Sequence, residues 1–202
     1  MLKIREASLN DLNFIVDIHI RAFPGFFLTL MGRRFLRQFY RCFFYYPDGI
    51  CIAACKDEKI FGFAAGAFYP DKFFRLIKRR RFLAFGIAAL PAIFLRPHKI
   101  LRKLFLSVFR NSEALPTHLD AALLSSVAVA PEQESKGIGQ QLVSAFCQKV
   151  QEKGINAVYL TTDRDNNDRV NKFYQQLGFS LENTFMQYGK RVMNLYVIRF
   201  NS

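Results

Sequence analysis

Between residues 72 and 110 the chain has no aspartate or glutamate at all, against eleven lysines and arginines. Cysteine is sparse: Cys42, Cys51, Cys55 and Cys147, each in an apolar context. Cys51 and Cys55 fall on one short strand, but no further Cys or His completes a zinc pattern, so no metal is expected. Buried thiols in a reducing compartment are the expectation instead. Long apolar runs are missing too. The longest uncharged one, residues 82–95, has 14 residues, short of the roughly 20 that a spanning helix needs. Gly86 and Pro91 are expected to interrupt it. The start, Met1-Leu2-Lys3-Ile4-Arg5-Glu6, carries charge at once and lacks the apolar core of a secretory signal. No repeat and no low-complexity linker is present. A chain of 202 residues is therefore expected to form one domain, 1–202, burying roughly 70% of its unfolded surface, with 72–110 as an insert.

The charge that is present is uneven. The net charge is +13. Residues 1–71 carry nine basic and seven acidic side chains, and residues 111–202 carry nine of each. Nearly all the excess thus lies in the insert, which describes a binding surface rather than a fold.

The stretch 123–150 organises the rest. An apolar run with Val127 and Val129 alternating around Ala128 reads as a strand buried on at least one face. Pro131 stops it, having no N–H to give a ladder. A polar loop with Lys136-Gly137-Ile138-Gly139 follows, and Leu142, Val143 and Phe146 continue at helical spacing. Strand, glycine loop and helix start make an anion site of unpartnered N–H groups, suited to phosphate. Gly137 and Gly139 let the anion approach the backbone. The loop lacks the four-residue spacing and Lys-Ser/Thr of the Walker pattern, and the third glycine of the dinucleotide pattern.

This loop resembles the acyl-CoA loop of the GNAT superfamily of N-acyltransferases, Arg/Gln-x-x-Gly-x-Gly/Ala after a V-x-V-type strand and a proline. Residues 167–179, from Asn167 through Asn171, Phe173 and Tyr174 to Gly178-Phe179, resemble that superfamily's second signature, Asn-x-x-Ala-x-x-Phe-Tyr-x-x-x-Gly-Phe. The rest of the chain fits the same order. A strand at 2–6 precedes a helix capped by Ser8 and Asp11, with Leu12, Ile15, Val16, His19 and Ile20 on one face. Residues 23–27 break that helix, and a second runs to about Tyr46. Strands at 50–55 and 59–69 form a hairpin around 56–58. A strand at 156–162, a short helix at 168–177 ended by Gly178, and an antiparallel pair at 180–188 and 191–200 complete it. The succession β-α-α-β-β-α-β-α-β-α-β-β matches an α/β GNAT fold, a mixed central sheet flanked by helices with a basic helical insert. In the insert, 72–81 is helix-compatible and 96–110 reads as an amphipathic basic helix.

The resemblance implies an acetyl-CoA-dependent N-acetyltransferase, with acetyl-CoA as co-substrate and a primary amine as acceptor. It implies that backbone groups of Val127 and Val129 bond the pantetheine arm. It implies that Gln133, Glu134, Lys136, Gly137, Ile138 and Gly139 take the pyrophosphate, and that Asn167 and Asn171 assist. Tyr174 stands at the general-acid position. Glu134 departs from the family's Arg or Gln, and Gln133 stands one residue early as its substitute. The base stays open between Glu113, His118, Asp120 and a water chain. Loop 24–27 is implied to wall the acceptor site, while His19 is expected to be a satisfied interior or half-buried histidine. Arg33, Arg37 and Arg41 are expected to form a solvated face. A likeness to bacterial members associated with surface-polysaccharide synthesis implies an amino sugar on a nucleotide or lipid carrier. The alternatives are a protein or small amine, or a peripheral membrane module on the same fold. The insert suits an anionic membrane or acceptor; nucleic acid is disfavoured because no nucleic-acid module is present. A cytoplasmic protein, with a place at the inner membrane face, is the corresponding expectation.

Overall fold

The computed structural model describes residues 2–57, 59–95, 120–187 and 191–200. The strands are β1 (Lys3–Glu6), β2 (Gly49–Lys56), β3 (Lys59–Ala67), β4 (Ala122–Val129), β5 (Ala157–Asp163), β6 (Ser180–Gln187) and β7 (Arg191–Arg199). The helices are α1 (Leu12–Ala22), α2 (Phe27–Leu30), α3 (Gly32–Tyr45), α4 (Pro70–Leu95), α5 (Ile138–Glu152) and α6 (Asp168–Gln176). One sheet runs β1-β2-β3-β4-β5-β7-β6. It is antiparallel except between β4 and β5.

Both faces of the sheet are covered, which is why its strands read as near-continuous apolar runs. Cys51, Ala53 and Cys55 of β2 turn to one face and join α1, α3 and the start of α4 around Tyr40 and Phe63. Ile50, Ile52 and Ala54 turn to the other and meet Leu142, Phe146 and Val150 of α5. The four cysteines are buried free thiols. At the chain start, Ser8 N–H bonds Asp11 Oδ2 at 2.7 Å, and Arg5 holds both oxygens of that buried carboxylate.

Two helical expectations change. The second helix is split into α2 and α3, with Gly32 at a left-handed φ of 86° at the joint. In the insert, Gly86 and Pro91 do not interrupt the apolar run, because α4 continues through both. Pro91 is exposed, so its ring faces water and the helix gives up only the bond that Pro cannot donate. Phe73 and Ile77 pin the basic half of α4 to the core, and Ala89 and Ala92 pin the apolar half to Met31, Phe27 and Phe35. The expected helix at 96–110, with Glu113 and His118, lies outside the described residues.

One irregularity in β4 positions everything that follows. Ala65 pairs with Ser126 and Gly66 with Leu124, so Ser125 is an extra residue, a β-bulge. Ala122 and Leu124 pack on the α5 face, whereas Ala128 and Ala130 pack on the α1–α3 face. The bulge has moved the buried stripe of β4 across the sheet. Gly66 makes room for it: a Cβ there would lie 2.0 Å from Leu123 O and 2.6 Å from the Phe146 ring. Gly66→Ala is therefore expected to cost roughly 1–3 kcal/mol, the range for overpacking. Urea denaturation measures this, and an unchanged midpoint would mean that the bulge tolerates a side chain.

Candidate active site

β4 and β5 pair only at Ala122–Val158 and Leu123–Tyr159. Beyond those two rungs the strands part, and a cleft of about 760 Å³ opens between them. Leu124 to Val129 form one wall, and Leu160 to Asp163 the other. N–H groups along a strand point alternately to its two edges. The N–H of Ala130 bonds Phe61 O in the direction of β3. Those of Val129 and Val127 therefore point to the open edge, into the cleft.

One end of the cleft is the loop into α5. Ser135 and Gly137 both have left-handed backbone, φ 63° and 74°, and Gly137 is the N-cap of α5. Left-handed residues in a short polar loop curl successive N–H groups inward, and the first turn of α5 adds its own free donors. The cleft is lined here by Gln133, Glu134, Gly137, Ile138 and Gly139. A Cβ on Gly139 would meet the Phe173 ring at 3.4 Å, so this helix start packs closely on α6. Glu134 is met by Arg169 of α6 at 3.2 Å, and Arg169 also reaches Ser135. Lys136 is outside the lining and donates to Gln133 Oε1 at 3.0 Å.

The middle of the cleft holds Asn167 and Tyr174. Asn167 is the N-cap of α6 and donates to Thr162 Oγ1 at 2.7 Å and Asp163 O at 3.0 Å. Tyr174 packs its ring on Phe173, Phe179 and Tyr196. Among the described residues no protein group bonds its hydroxyl, and burial raises that phenol above its ordinary value. Asn171 lies off the lining. Its amide donates to Asp163 O, Arg164 O and Asn167 O and accepts from Asn194, tying α6 to β5 and β7.

A further wall is formed by His19, Ala22, Phe23, Phe26, Phe27 and Leu28. Pro24 and Gly25 of the predicted loop are not in the lining. Asp163 and Arg191 close the mouth as a two-bond ion pair, Nη2 to Oδ2 at 2.6 Å, with the guanidinium above the Phe26 ring. His19 is 3% exposed. Its Nδ1 lies 2.6 Å from Tyr40 Oη, while Nε2 has no partner among the described residues. It is thus only half satisfied, unlike the fully satisfied histidine expected. Burial alone lowers it to about 4. Burial also raises the Tyr40 hydroxyl, against an opposing hydrogen bond with Ser126. Asp120 is exposed and outside the lining. Arg33 pairs with Asp17, and Arg41 with the Tyr45 hydroxyl, on an exposed face. Among the described residues no group of three His, Cys, Asp or Glu could hold a metal.

Comparison with known proteins agrees with this architecture. A family model described as Acetyltransferase (GNAT) family matches residues 102–179. The mycothiol acetyltransferase of Arthrobacter sp. strain FB24 is 38% identical over 65 residues, which is 32% of this chain and 20% of the relative. The matched stretch thus spans about a fifth of that relative's length. A Bacillus anthracis protein solved in complex with acetyl coenzyme A superposes with a TM-score of 0.61 at 18% identity, covering 99% of this chain and 100% of its own. The ribosomal-protein-S18-alanine N-acetyltransferase of Escherichia coli superposes with a TM-score of 0.58 at 15% identity, covering 100% of this chain and 96% of its own. The chain has the GNAT fold.

The buried His19 gives a pH signature. Between about pH 4 and 6.5 the unfolded chain takes up a proton that the folded one refuses. Stability is therefore full above about 6.5 and falls as pH drops toward about 4, by roughly 3 kcal/mol. Asp11 acts in a lower window: burial raises its carboxyl, but bonds from Arg5 and Ser8 outweigh that and hold it below 3.8. Denaturation midpoints from pH 7 to 4 measure the His19 effect, and a His19→Gln variant should lack it.

Proposed function

We propose that this chain is an acetyl-CoA-dependent N-acetyltransferase acting on a primary amine. The observation that carries the reading is the cleft between β4 and β5. Among the described residues it has two strand N–H groups without a partner in its wall, a curled loop of inward N–H groups, and a tyrosine hydroxyl that no group bonds. In this reading Val127 and Val129 bond the amides of the pantetheine arm, and the loop from Gln133 to Gly139 takes the pyrophosphate, with Asn167 beside the arm. Lys136 adds charge outside the lining, and Asn171 holds Asn167 and the end of β5 in place. Glu134 would repel a pyrophosphate, but Arg169 offsets its charge and brings a second cation to the loop. The Val127 N–H faces the thioester oxygen as negative charge develops there. The amine attacks the carbonyl carbon, the C–S bond breaks, and Tyr174 protonates the leaving thiolate. Burial suits this, because it keeps the phenol protonated until the thiolate appears.

Tyr174→Phe removes the proton without removing the ring. It should lower kcat by ~10²–10⁴-fold while calorimetry finds acetyl-CoA binding unchanged, because the lost interaction belongs to the transition state. Free-thiol release with a panel of amines reads the rate. A variant with wild-type kcat, where chemistry limits turnover, would return Tyr174 to a packing role.

The acceptor reading is an amino sugar carried on a nucleotide or lipid pyrophosphate, with a protein or small amine as the alternative. The insert supports a membrane-side acceptor. Lys72, Arg75, Lys78, Arg79 and Arg80 are exposed on α4. In its apolar half Leu83, Ile87, Leu90 and Phe94 share one flank and are 47–82% exposed. An apolar helix with only one flank packed is unusual in water, and basic residues beside it fit an anionic leaflet. No helix among the described residues is long and apolar enough to cross a membrane, so the contact proposed is peripheral, at the inner face, in a cytoplasm that keeps the thiols reduced. Replacing Arg75, Arg79 and Arg80 with Gln should weaken binding to anionic phospholipid vesicles by about 1 kcal/mol per residue engaged, and added salt should do likewise. Loss of vesicle binding alone supports an anchor, and loss of acetylation alone supports an acceptor site. No change in either would make α4 a solvated face.

A further inference from the structure

A buried nitrogen without a partner is uncommon and asks for an explanation. His19 Nε2 is the single buried side-chain N or O atom among the described residues that lacks one. The ring that carries it stands in the wall of the cleft. Its other nitrogen is fixed at 2.6 Å by Tyr40, itself fully buried. Ser126 also lines the cleft and lies between the bulged Ser125 and Val127.

We propose that His19 takes the proton from the attacking amine, oriented for it by Tyr40. This rests on the reading of the cleft as an acetyl-transfer site. The argument is first geometric. Val127 N–H faces the carbonyl to be attacked, and Ser126 is the residue before it. Ser126 and His19 both line the cleft, so the imidazole stands in the same wall as the carbonyl's site. In the tautomer whose Nδ1–H donates to Tyr40 Oη, Nε2 keeps a free lone pair. Nε2 is then an acceptor with nothing to accept from until an amine arrives. Burial keeps the ring neutral, and no charged side chain contributes to that.

The step balances. The amine lone pair forms the C–N bond, and the C–S pair leaves on sulfur. The proton on nitrogen goes to His19 Nε2, and the Tyr174 proton goes to the thiolate. Solvent then reprotonates Tyr174 and collects the proton from His19.

The test compares wild type with His19→Gln, His19→Ala and Tyr40→Phe on one accepted amine. Thiol release, acetyl-CoA affinity by calorimetry and thermal midpoint are read together. His19→Gln should lower kcat by about 10²-fold or more with acetyl-CoA affinity within a few-fold of wild type. Its rate should climb with pH as hydroxide replaces the lost acceptor. Added imidazole should recover part of the His19→Ala rate. Tyr40→Phe keeps the ring but frees Nδ1, and should give a smaller fall. Wild-type kcat in His19→Gln would overturn the proposal. So would a loss that tracks the thermal midpoint and acetyl-CoA affinity and that imidazole does not repair. Should His19→Gln fail to fold, an unchanged rate in Tyr40→Phe together with no imidazole rescue of His19→Ala would overturn it as well. If wild type releases no thiol with any amine, the acetyl-transfer reading itself falls, and this proposal with it.

Discussion

One extra residue in β4 decides the geometry of the cleft. A regular strand beside β5 would continue its ladder, and the N–H groups of Val127 and Val129 would be spent on it. Instead β4 bulges at Ser125 and leaves β5 after two rungs. Three consequences share that cause. The donors of Val127 and Val129 stay free on an open edge. The buried stripe of the strand crosses from the α5 face to the α1–α3 face. Ser126 is carried to the side where Tyr40 and His19 stand. Gly66 permits all three, because a side chain on it would strike Leu123 O. A tight approach in the sheet therefore sits beside the cleft.

That crossing also explains what the sequence could and could not reveal. Alternation along β4 is unbroken, with the even-numbered residues from Ala122 to Val129 buried throughout. Nothing in the pattern says that the face changes midway, because both faces are covered by helices. Period-based reading found the strands within a residue or two for the same reason that it missed the bulge: apolar content reports burial, not which side is buried. It also overrated Gly86 and Pro91 as breakers, since an exposed proline ring and a packed flank let α4 continue. Cleft-lining residues separated by locality. Gln133, Glu134, Gly137, Ile138, Gly139, Asn167 and Tyr174 were legible as candidates because one loop or one helix holds each group. His19 with Tyr40 and Ser126, Arg169 with Glu134, and Arg191 with Asp163 were not, because each set comes from different elements. The one available signal was a titratable residue, His19, on the apolar face of α1.

Charge is arranged differently in the cleft and on the insert. Each carboxylate in the cleft lining has an arginine: Glu134 has Arg169, and Asp163 has Arg191. Partly exposed pairs of this kind add little to stability, but they leave the lining without an uncompensated negative charge where an anionic ligand would lie. On α4 the basic residues share their helix with a single acid, Asp71 in the first turn. Most of the compensation there has to come from outside the helix. The two regions are mechanically linked as well, since Phe27 both lines the cleft and packs under Ala89 and Ala92 of α4. Anything that seats against α4 is one side chain away from the acceptor end.

Burial then sets the protonation states on both sides of the cleft with a single cause. Moving a group out of water disfavours its charged form. For a phenol the charged form is the deprotonated one, so Tyr174 is held as a proton donor. For an imidazole the charged form is the protonated one, so His19 is held as a proton acceptor. The same dry environment thus loads one group and empties the other, without a charged residue to tune either. In the proposed reaction the amine nitrogen becomes positive as the sulfur becomes negative. Each new charge then appears beside a neutral group able to remove it. A site tuned by ion pairs would depend on salt and on the placement of its counter-charges. A site tuned by exclusion of water depends on packing, and here that packing is the core from which Tyr40, Tyr174 and the bulged strand are built.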